Sequence, residues 1–260
     1  MLKNLYTYRR YLLGSFWTDL RYRYAGTALG FFWVIINPIL EVLIYAVVFS
    51  QIVSIRSGGG RGISYVLFLT SGLFPFLAFS QMISRGSNAI KSNALYMRRS
   101  LVPSEVFVFK EALLISFSFL IYLVLLIPIS LVADNPITWQ AALMPVFAAL
   151  LLLLGFGMAI PMANFRILFP DLGEIIPVLL QLWRWTLPIM FSDKNFPGWL
   201  RRLMSINPPY YFIHAFRDVL IEHKLPAAEA WISIAFWIFV FLLLAQFVSR
   251  WLRREVKDLL

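Results

Sequence analysis

Two stretches of this chain, residues 112–133 and 141–163, contain no charged residue. Each is longer than the roughly 20 helical residues that cross about 30 Å of hydrocarbon. Inside a bilayer the backbone polar groups must bond to one another, so an apolar run of this length is restricted to an α-helix. The sequence therefore predicts a helical membrane protein.

Four further apolar segments accompany these two, at residues 28–53, 63–84, 175–192 and 231–248. The segment 28–53 contains one acid, Glu41. The segment 175–192 is marginal as a span, because it is short, Pro177 and Pro188 interrupt it and Arg184 lies within it. We expect an all-α membrane protein with six transmembrane helices in a single transmembrane domain, residues 1–260, with spans one to five in 28–192 and the sixth in 228–260.

The composition supports this class of protein. The chain is 60% hydrophobic and 14% charged, with a mean hydropathy of +0.77, whereas soluble domains are about half apolar and a quarter charged. No cysteine is present, which excludes disulfides and thiol-bound metals. The net charge of +10 would suit nucleic acid, but basic loop residues also set membrane topology, and we prefer that interpretation.

The distribution of Lys and Arg predicts that both termini are cytoplasmic. Fifteen of the 23 basic residues then lie in the N-terminal segment, the connections 85–111 and 164–174 and the C-terminal tail, on the side where positive charge accumulates. Arg184 lies within a span, and seven residues lie outside: Arg56, Arg61, Lys194, Arg201, Arg202, Arg217 and Lys224.

Residues 1–27 are predicted to form an amphipathic helix at the membrane interface. One face of the pattern is polar, with Lys3, Thr7, Arg10, Gly14, Thr18 and Arg21. The opposite face is apolar, with Leu5, Leu12, Phe16 and Leu20. Such a division is typical of a helix in the interface plane. A signal peptide is the alternative, but the charged segment is too long and no short apolar core with a cleavage site follows.

Two connections have predicted structure of their own. In the cytoplasmic connection 85–111, residues 88–97 are expected to form a short helix, and Pro103 ends the segment. The external segment 193–227 mixes aromatic and basic residues, and Pro208-Pro209 divides it into two short amphipathic helices. We expect these two helices to be re-entrant, dipping into the outer leaflet.

No catalytic or metal site stands out in the sequence. The glycine-rich stretch 58–62 lacks the lysine of a phosphate-binding loop, and neither His214 nor His223 has metal-ligand spacing. We therefore expect a chain that is not itself an enzyme, binds no metal and takes its energy from another subunit.

Four motifs, in this order and spacing, resemble the permeases of type-2 ABC exporters in the polysaccharide-exporting branch. They are Leu29-Gly30-x-x-Trp33-x-x-x-x-Pro38, the segment from Asn88 to Pro103, the segment from Arg166 to Pro188 with Asp171-Leu172, and Asn207-Pro208 followed by Ile213, Arg217 and Asp218. One departure is that four residues separate Arg166 from Asp171, where many members have Arg-Asp-Leu contiguous.

The resemblance implies a homodimer in the bacterial inner membrane, joined to two ABC ATPase subunits that bind ATP and Mg. Such permeases export a glycan linked to undecaprenyl diphosphate, such as O-antigen, capsule or teichoic acid. The resemblance also implies that the segment near 88–97 contacts the ATPase, through Asn88, Lys91, Leu95, Arg98 and Arg99. Membrane lipids are further partners, and nucleic acid is not expected.

The resemblance places the first and fifth spans along the substrate path. Aromatic rings there suit the C–H faces of sugars, although lipid-facing or core packing explains them equally well. The candidate path residues are Phe31, Phe32, Trp33, Glu41, Tyr45, Phe49, Trp183, Arg184 and Trp185. A cation within a span costs about 2.5–3.5 kcal/mol, so Arg184 is expected to pair with Glu41 or to line the path. The alternative is that the Arg184 side chain extends to the membrane interface, because the fifth span is short.

Arg21 and Arg23, with Leu29 and Gly30, mark where a carrier diphosphate would arrive from the inner leaflet. Guanidinium groups bind phosphate in bidentate fashion, but topology and contact with anionic lipid explain these two arginines as well. Two other functions stay open. One is a type-2 ABC permease for a small lipophilic drug or lipid, and the other is an intramembrane lipid-modifying enzyme, for which Glu41 and Arg184 are the available polar groups in the spans.

Overall fold

The computed structural model describes residues 2–22, 30–33, 35–40, 43, 44, 47, 62–99, 102–193, 196–252, 255 and 256. Throughout these residues the regular structure is helical, so the predicted all-α class is confirmed. The helices are α1 (Leu2–Thr7), α2 (Arg9–Tyr22), α3 (Gly62–Ser92), α4 (Ala94–Arg99), α5 (Ser104–Val132), α6 (Met144–Leu168), α7 (Leu172–Trp185), α8 (Gly198–Ser205), α9 (Pro208–Leu220) and α10 (Ala228–Trp251). Short 3₁₀ helices lie at Gly30–Phe32 and Trp139–Leu143.

Four of the six predicted spans are helices long and apolar enough to cross a membrane. They are Ser64–Ser92, Ser104–Val132, Trp139–Leu168 and Ala228–Trp251. The predicted first span lies mostly outside the described residues, although 35–40 are helical. The predicted fifth span is α7, whose 14 residues extend about 21 Å at 1.5 Å per residue. The described chain thus contains four candidate spans, and the count of six stays a prediction.

Helix α3 is the centre of the bundle. It packs against α5, α6, α7 and α9, and α6 packs in turn against α10. Close approach is possible because small residues lie at the contacts, as is common between helices in membranes. A Cβ atom at Gly86 would lie 2.7 Å from Ala159 Cβ, and one at Gly157 would lie 3.1 Å from the backbone of Phe241. The glycines therefore set the distances between the three long helices.

The N-terminal helix α2 packs its apolar face against α5. Leu12 and Leu20 are buried, and Phe16 makes an edge contact with Phe117, with ring centroids 6.2 Å apart. The two faces follow the predicted pattern, but the apolar one contacts protein. The polar residues Thr7, Arg10, Gly14, Thr18 and Arg21 face outward, together with the exposed Trp17.

The segment after α7 turns back onto the bundle. It contains the two predicted short helices, α8 and α9, divided at the prolines as expected. Helix α9 is largely buried and packs against α3, α6 and α10. The connection between α5 and α6 lies beside the loop that follows α9, because the His223 ring contacts Asn135 Oδ1 at 3.1 Å and Thr138 Oγ1 at 3.2 Å. The loops that precede α6 and α10 are therefore joined at this end of the bundle.

Candidate functional site

A polar groove of about 340 Å³ lies between α3 and α7, at the middle of the second span. Its polar lining consists of Ser80, Gln81, Ser84, Gln181 and Arg184, and its apolar lining of Phe76, Leu77, Pro177 and Leu180. Ser80 donates a hydrogen bond to Leu77 O, 3.0 Å away. We call this feature the α3–α7 groove; among the described residues, none that lines it is acidic.

Arg184 supplies the charge of the α3–α7 groove from the last turn of α7. Its Nε atom is buried and has no hydrogen-bond partner among the described residues. The guanidinium carbon lies 5.8 Å from the ring centroid of Trp185. Arg184 therefore occupies a wall of the groove without a described carboxylate beside it.

The described aromatic candidates for the path have different environments. Trp183 is partly buried, its indole Nε1 donates to Asn207 Oδ1 at 2.8 Å, and its ring meets Phe79 edge-on at 5.5 Å. Trp185 and Phe32 are more than half exposed, and Trp33 is partly exposed. Trp183 thus has an evident packing role, whereas the exposed rings are available to lipid or substrate.

Several predicted residues cannot be placed. Glu41, Tyr45, Phe49, Arg23 and Leu29 lie outside the described residues, as does the side chain of Phe31. The predicted contact between Glu41 and Arg184 therefore stays a prediction.

Gly30 opens the 3₁₀ turn with φ of +49°, a conformation that glycine adopts without steric cost. Arg21 is exposed in the last turn of α2. The role of these residues in receiving a carrier lipid is not tested by their positions.

The predicted ATPase-coupling segment is divided differently from expectation. Asn88 and Lys91 belong to the end of α3, which continues to Ser92, and Leu95 belongs to the separate helix α4. Asn93 forms the break, because its side chain donates to Ala89 O at 2.8 Å and competes with the helical bonds there. Arg98 and Arg99 end α4, and their side chains lie outside the description.

Helices α2, α4 and α5 meet in a junction of aromatic rings. Tyr11 stacks on Tyr96 at 5.7 Å, and both rings meet Phe107 edge-on at about 6 Å. Lys110 lies beside these rings, is 7% exposed and places Nζ 2.8 Å from Asp19 Oδ2 and 3.4 Å from Asn93 Oδ1. The N-terminal helix, the third span and the end of α3 are therefore connected through one buried ammonium group.

At the other end of the bundle, Arg217 connects α9 with the turn after α7. Its guanidinium donates to Pro188 O at 2.6 Å, to Ile189 O at 2.9 Å and to Phe68 O at 3.3 Å, and it lies 3.7 Å from the Phe68 ring centroid. Burial lowers the pKa of Arg217 to about 10, so the side chain stays charged at neutral pH.

A second buried cluster joins α9 to the preceding loop. Tyr210 donates to Asp193 Oδ2 at 2.6 Å, and His214 Nε2 lies 3.3 Å from the same oxygen. Burial, the largest single cause, raises the pKa of Asp193. The Tyr210 hydrogen bond, the neighbouring His214 and Arg201 and a backbone hydrogen bond together outweigh it, so the pKa lies below its ordinary value. Burial lowers the pKa of His214, so at neutral pH the imidazole is uncharged.

Sequence reasoning missed most of these polar residues. Ser80, Gln81 and Ser84 interrupt an otherwise apolar span on one helical face, and Gln181 lies one turn before Arg184, so a signal was present. Asp193 and Tyr210 had no comparable signal, since their contact crosses a loop. Among the described residues, no group of three His, Asp or Glu side chains is placed to hold a metal.

A sequence model of the ABC-2 type transporter family matches residues 12–221. The chain is 25% identical over 260 residues to the O-antigen export system permease protein RfbA of Myxococcus xanthus, covering 99% of this chain and 98% of that protein. It is 23% identical to an O-antigen export system permease protein RfbA of Klebsiella pneumoniae over 209 residues, which cover 80% and 78% of the two chains. It is also 23% identical to the polysialic acid transport protein KpsM of Escherichia coli over 207 residues, 79% of each chain.

The family match and the four long apolar helices agree with the resemblance that the motifs indicated. Since the match covers most of the chain, this membrane protein belongs to the ABC-2 type transporter family.

Proposed function

We propose that this chain is the permease subunit of an ABC transporter that exports polysaccharide across the bacterial inner membrane. The observation that carries the proposal is the similarity to an O-antigen export permease over 99% of this chain and 98% of that relative. Similarity to a polysialic acid transport protein points to the same chemical class, since both relatives are named for polysaccharides.

The cargo in this proposal is a glycan linked to undecaprenyl diphosphate, and two copies of the chain form the path. Energy comes from two separate ATPase subunits, which bind ATP and Mg. The junction of α2, α4 and α5 supports a coupling role at the predicted cytoplasmic end, because a force on α4 reaches two other helices through Tyr96 and Lys110. Both termini are cytoplasmic in this arrangement.

Deletion of the gene tests the proposal most directly. We expect lipid-linked glycan to accumulate on the cytoplasmic face and to disappear from the cell surface, and the wild-type gene to restore it. Mild acid release of the accumulated glycan, followed by mass spectrometry of the lipid, identifies the carrier. Surface glycan at the wild-type level after deletion would reject polysaccharide export.

Purification of the tagged chain tests the predicted assembly. An ATPase subunit should co-purify in equal number with the permease, and reconstituted vesicles should translocate glycan when ATP and Mg are supplied. A catalytically inactive ATPase subunit is the matched control. If the purified permease alone translocated glycan at the same rate without ATP, the proposed energy source would be wrong.

A further inference from the structure

We infer that the α3–α7 groove is a binding site for the exported glycan, in which Arg184 contacts an anionic group and the neighbouring amides and hydroxyls contact sugar hydroxyls. The inference rests on the proposed function and adds to it a site and a second helix, α3. A cation at the level of the middle of a span is costly to keep in a bilayer, so a partner or an aqueous path must offset that cost.

The described part of the protein does not supply that partner. The Nε atom of Arg184 is buried without a hydrogen bond, and no carboxylate lines the groove. By contrast, Arg217 is bonded to three backbone carbonyls, and Arg85 is paired with Glu111 at 2.6 Å. Arg217 and Arg85 also keep one buried nitrogen each without a partner, but other nitrogens of both are bonded within the fold. Arg184 lines the open groove without a hydrogen bond or ion pair to a described residue.

The rest of the lining is rich in hydrogen-bonding groups without an opposing charge. Gln81 and Gln181 each offer two donors and one acceptor, and Ser80 and Ser84 each offer a hydroxyl. Phe76 and Leu180 contribute apolar surface beside them. A ligand that matches this lining carries many hydroxyls, apolar C–H faces and a negative group, which is the chemistry of a glycan with carboxylate or phosphate substituents.

The size of the groove also fits a chain that passes along it. From Phe76 to Ser84 the lining extends about 12 Å along α3, at 1.5 Å per residue. It is open along its side, so a long polymer is in contact without having its end enclosed. Each contact is a separate, exchangeable hydrogen bond, which lets a polymer be held weakly at many successive units.

Cysteine accessibility tests the site, because the natural chain contains no cysteine. Gln81→Cys and Gln181→Cys are introduced singly into the permease–ATPase complex and reacted with a charged, water-soluble methanethiosulfonate. The control is Ser116→Cys on α5, a half-buried serine that, like Ser80, bonds to its own helix. We expect the two groove cysteines to react, and lipid-linked glycan from permease-deleted cells to slow their reaction about tenfold, while the control rate does not change.

Two outcomes of this experiment would overturn the inference. One is equal reaction rates with and without the lipid-linked glycan. The other is equal protection by undecaprenyl diphosphate alone, since the groove would then bind the carrier lipid and not the sugars.

Export by variants supplies the second measurement. Arg184→Leu should reduce export about tenfold, as expected for the loss of one charged hydrogen bond, and Arg184→Lys should retain part of it. Gln181→Leu should reduce export less, and Gln246→Leu, an exposed glutamine on α10, should leave it unchanged. If Glu41→Gln restored export to Arg184→Leu, the arginine would serve only to neutralise that acid and the inference would fail.

The same assay separates failure of the site from failure of the proposed function. If gene deletion stops export but all groove variants export normally, the function stands and the site is wrong. If gene deletion leaves export intact, the proposed function itself is wrong.

Discussion

Replacement of Arg217 by methionine should detach α9 from the turn that follows α7. Arg217 is 6% exposed, and its guanidinium donates to the carbonyls of Pro188, Ile189 and Phe68. Pro188 and Ile189 follow the end of α7, so the arginine supplies a donor that no helix provides for their carbonyls. Phe68 lies within α3, and its carbonyl also accepts from Ser71 Oγ. Methionine keeps the length of the side chain and removes every donor.

The magnitude follows from the geometry of these bonds. A hydrogen bond to a charged group contributes about 1.5–3 kcal/mol, and two of the three distances, 2.6 and 2.9 Å, are those of strong bonds. The Phe68 ring, 3.7 Å away, adds about 1 kcal/mol as a cation–π contact. The buried Nε atom has no partner in the described chain, which subtracts from this gain. We expect Arg217→Met to lower the free energy of unfolding by about 3–5 kcal/mol.

Thermal unfolding of the purified protein in detergent measures the effect. Arg217→Met should lower the midpoint by more than about 5 °C. The midpoint of Arg217→Lys should lie between those of the wild type and Arg217→Met, because one ammonium group cannot reach the separate carbonyls as a planar guanidinium does. Arg202→Met removes an exposed arginine from α8 and should leave the midpoint unchanged. An unchanged midpoint for Arg217→Met would refute the view that these bonds hold α9 in place.

Three further predictions concern other parts of the fold. Lys110→Met should weaken the docking of α2 by about 1–3 kcal/mol, since a half-exposed carboxylate loses its partner, and limited trypsinolysis of the N-terminal helix should accelerate. Gly86→Val should reduce the amount of folded protein in the membrane, because a Cβ atom there would lie 2.7 Å from a side chain of α6. The control Gly14→Val on α2, where nothing lies within 4 Å, should not reduce it, because valine fits there and has a higher helix propensity than glycine. Tyr210→Phe should raise the depressed pKa of Asp193, so the stability that this ionised carboxylate contributes at neutral pH should be lost at a higher pH on acidification than in wild type. Thermal unfolding followed from pH 7 to about pH 3 measures that shift.

The helical class and the long apolar helices were predictable, because the thickness of a bilayer sets the length of the apolar run that a span requires. The uncharged run 112–133 ends one residue beyond α5, and the run 141–163 begins in the 3₁₀ helix Trp139–Leu143 and continues into α6. A charge inside either helix would be costly in a bilayer. The ends of the helices were less predictable. Helix α5 begins at Ser104, well before the apolar run, because Lys110 and Glu111 find partners on other helices.

The fifth predicted span shows where hydropathy is insufficient. Residues 175–192 are apolar enough, but regular helix ends at Trp185. Pro188 has no N–H to continue it, and Arg217, from a helix more than twenty residues later, binds the carbonyl groups of the turn. A contact between residues so distant in the chain has no local signal, so composition alone favours a longer helix than the fold contains.

The amphipathic pattern of the N-terminal helix predicted its two faces but not what covers them. An apolar face with Leu12 and Leu20 fits a bilayer surface and a neighbouring helix equally well. The choice depends on Phe117 and Lys110 of α5, which present a ring and a cation to α2. Hydrophobic periodicity identifies which face of the helix is buried. Whether lipid or protein covers that face depends on the neighbouring helix.

The charged residues of the bundle differ in whether other parts of the fold supply their hydrogen-bond partners. Lys110 and Arg217, near opposite ends, are nearly buried and bonded to side chains or carbonyls of other elements, so their charge is used in folding. Arg184 lies between them, at the level of the middle of the second span, and makes no hydrogen bond or ion pair to a described residue. In the site inferred above, its partner is the transported glycan. On that inference, replacement of Arg184 should alter export more than it alters stability.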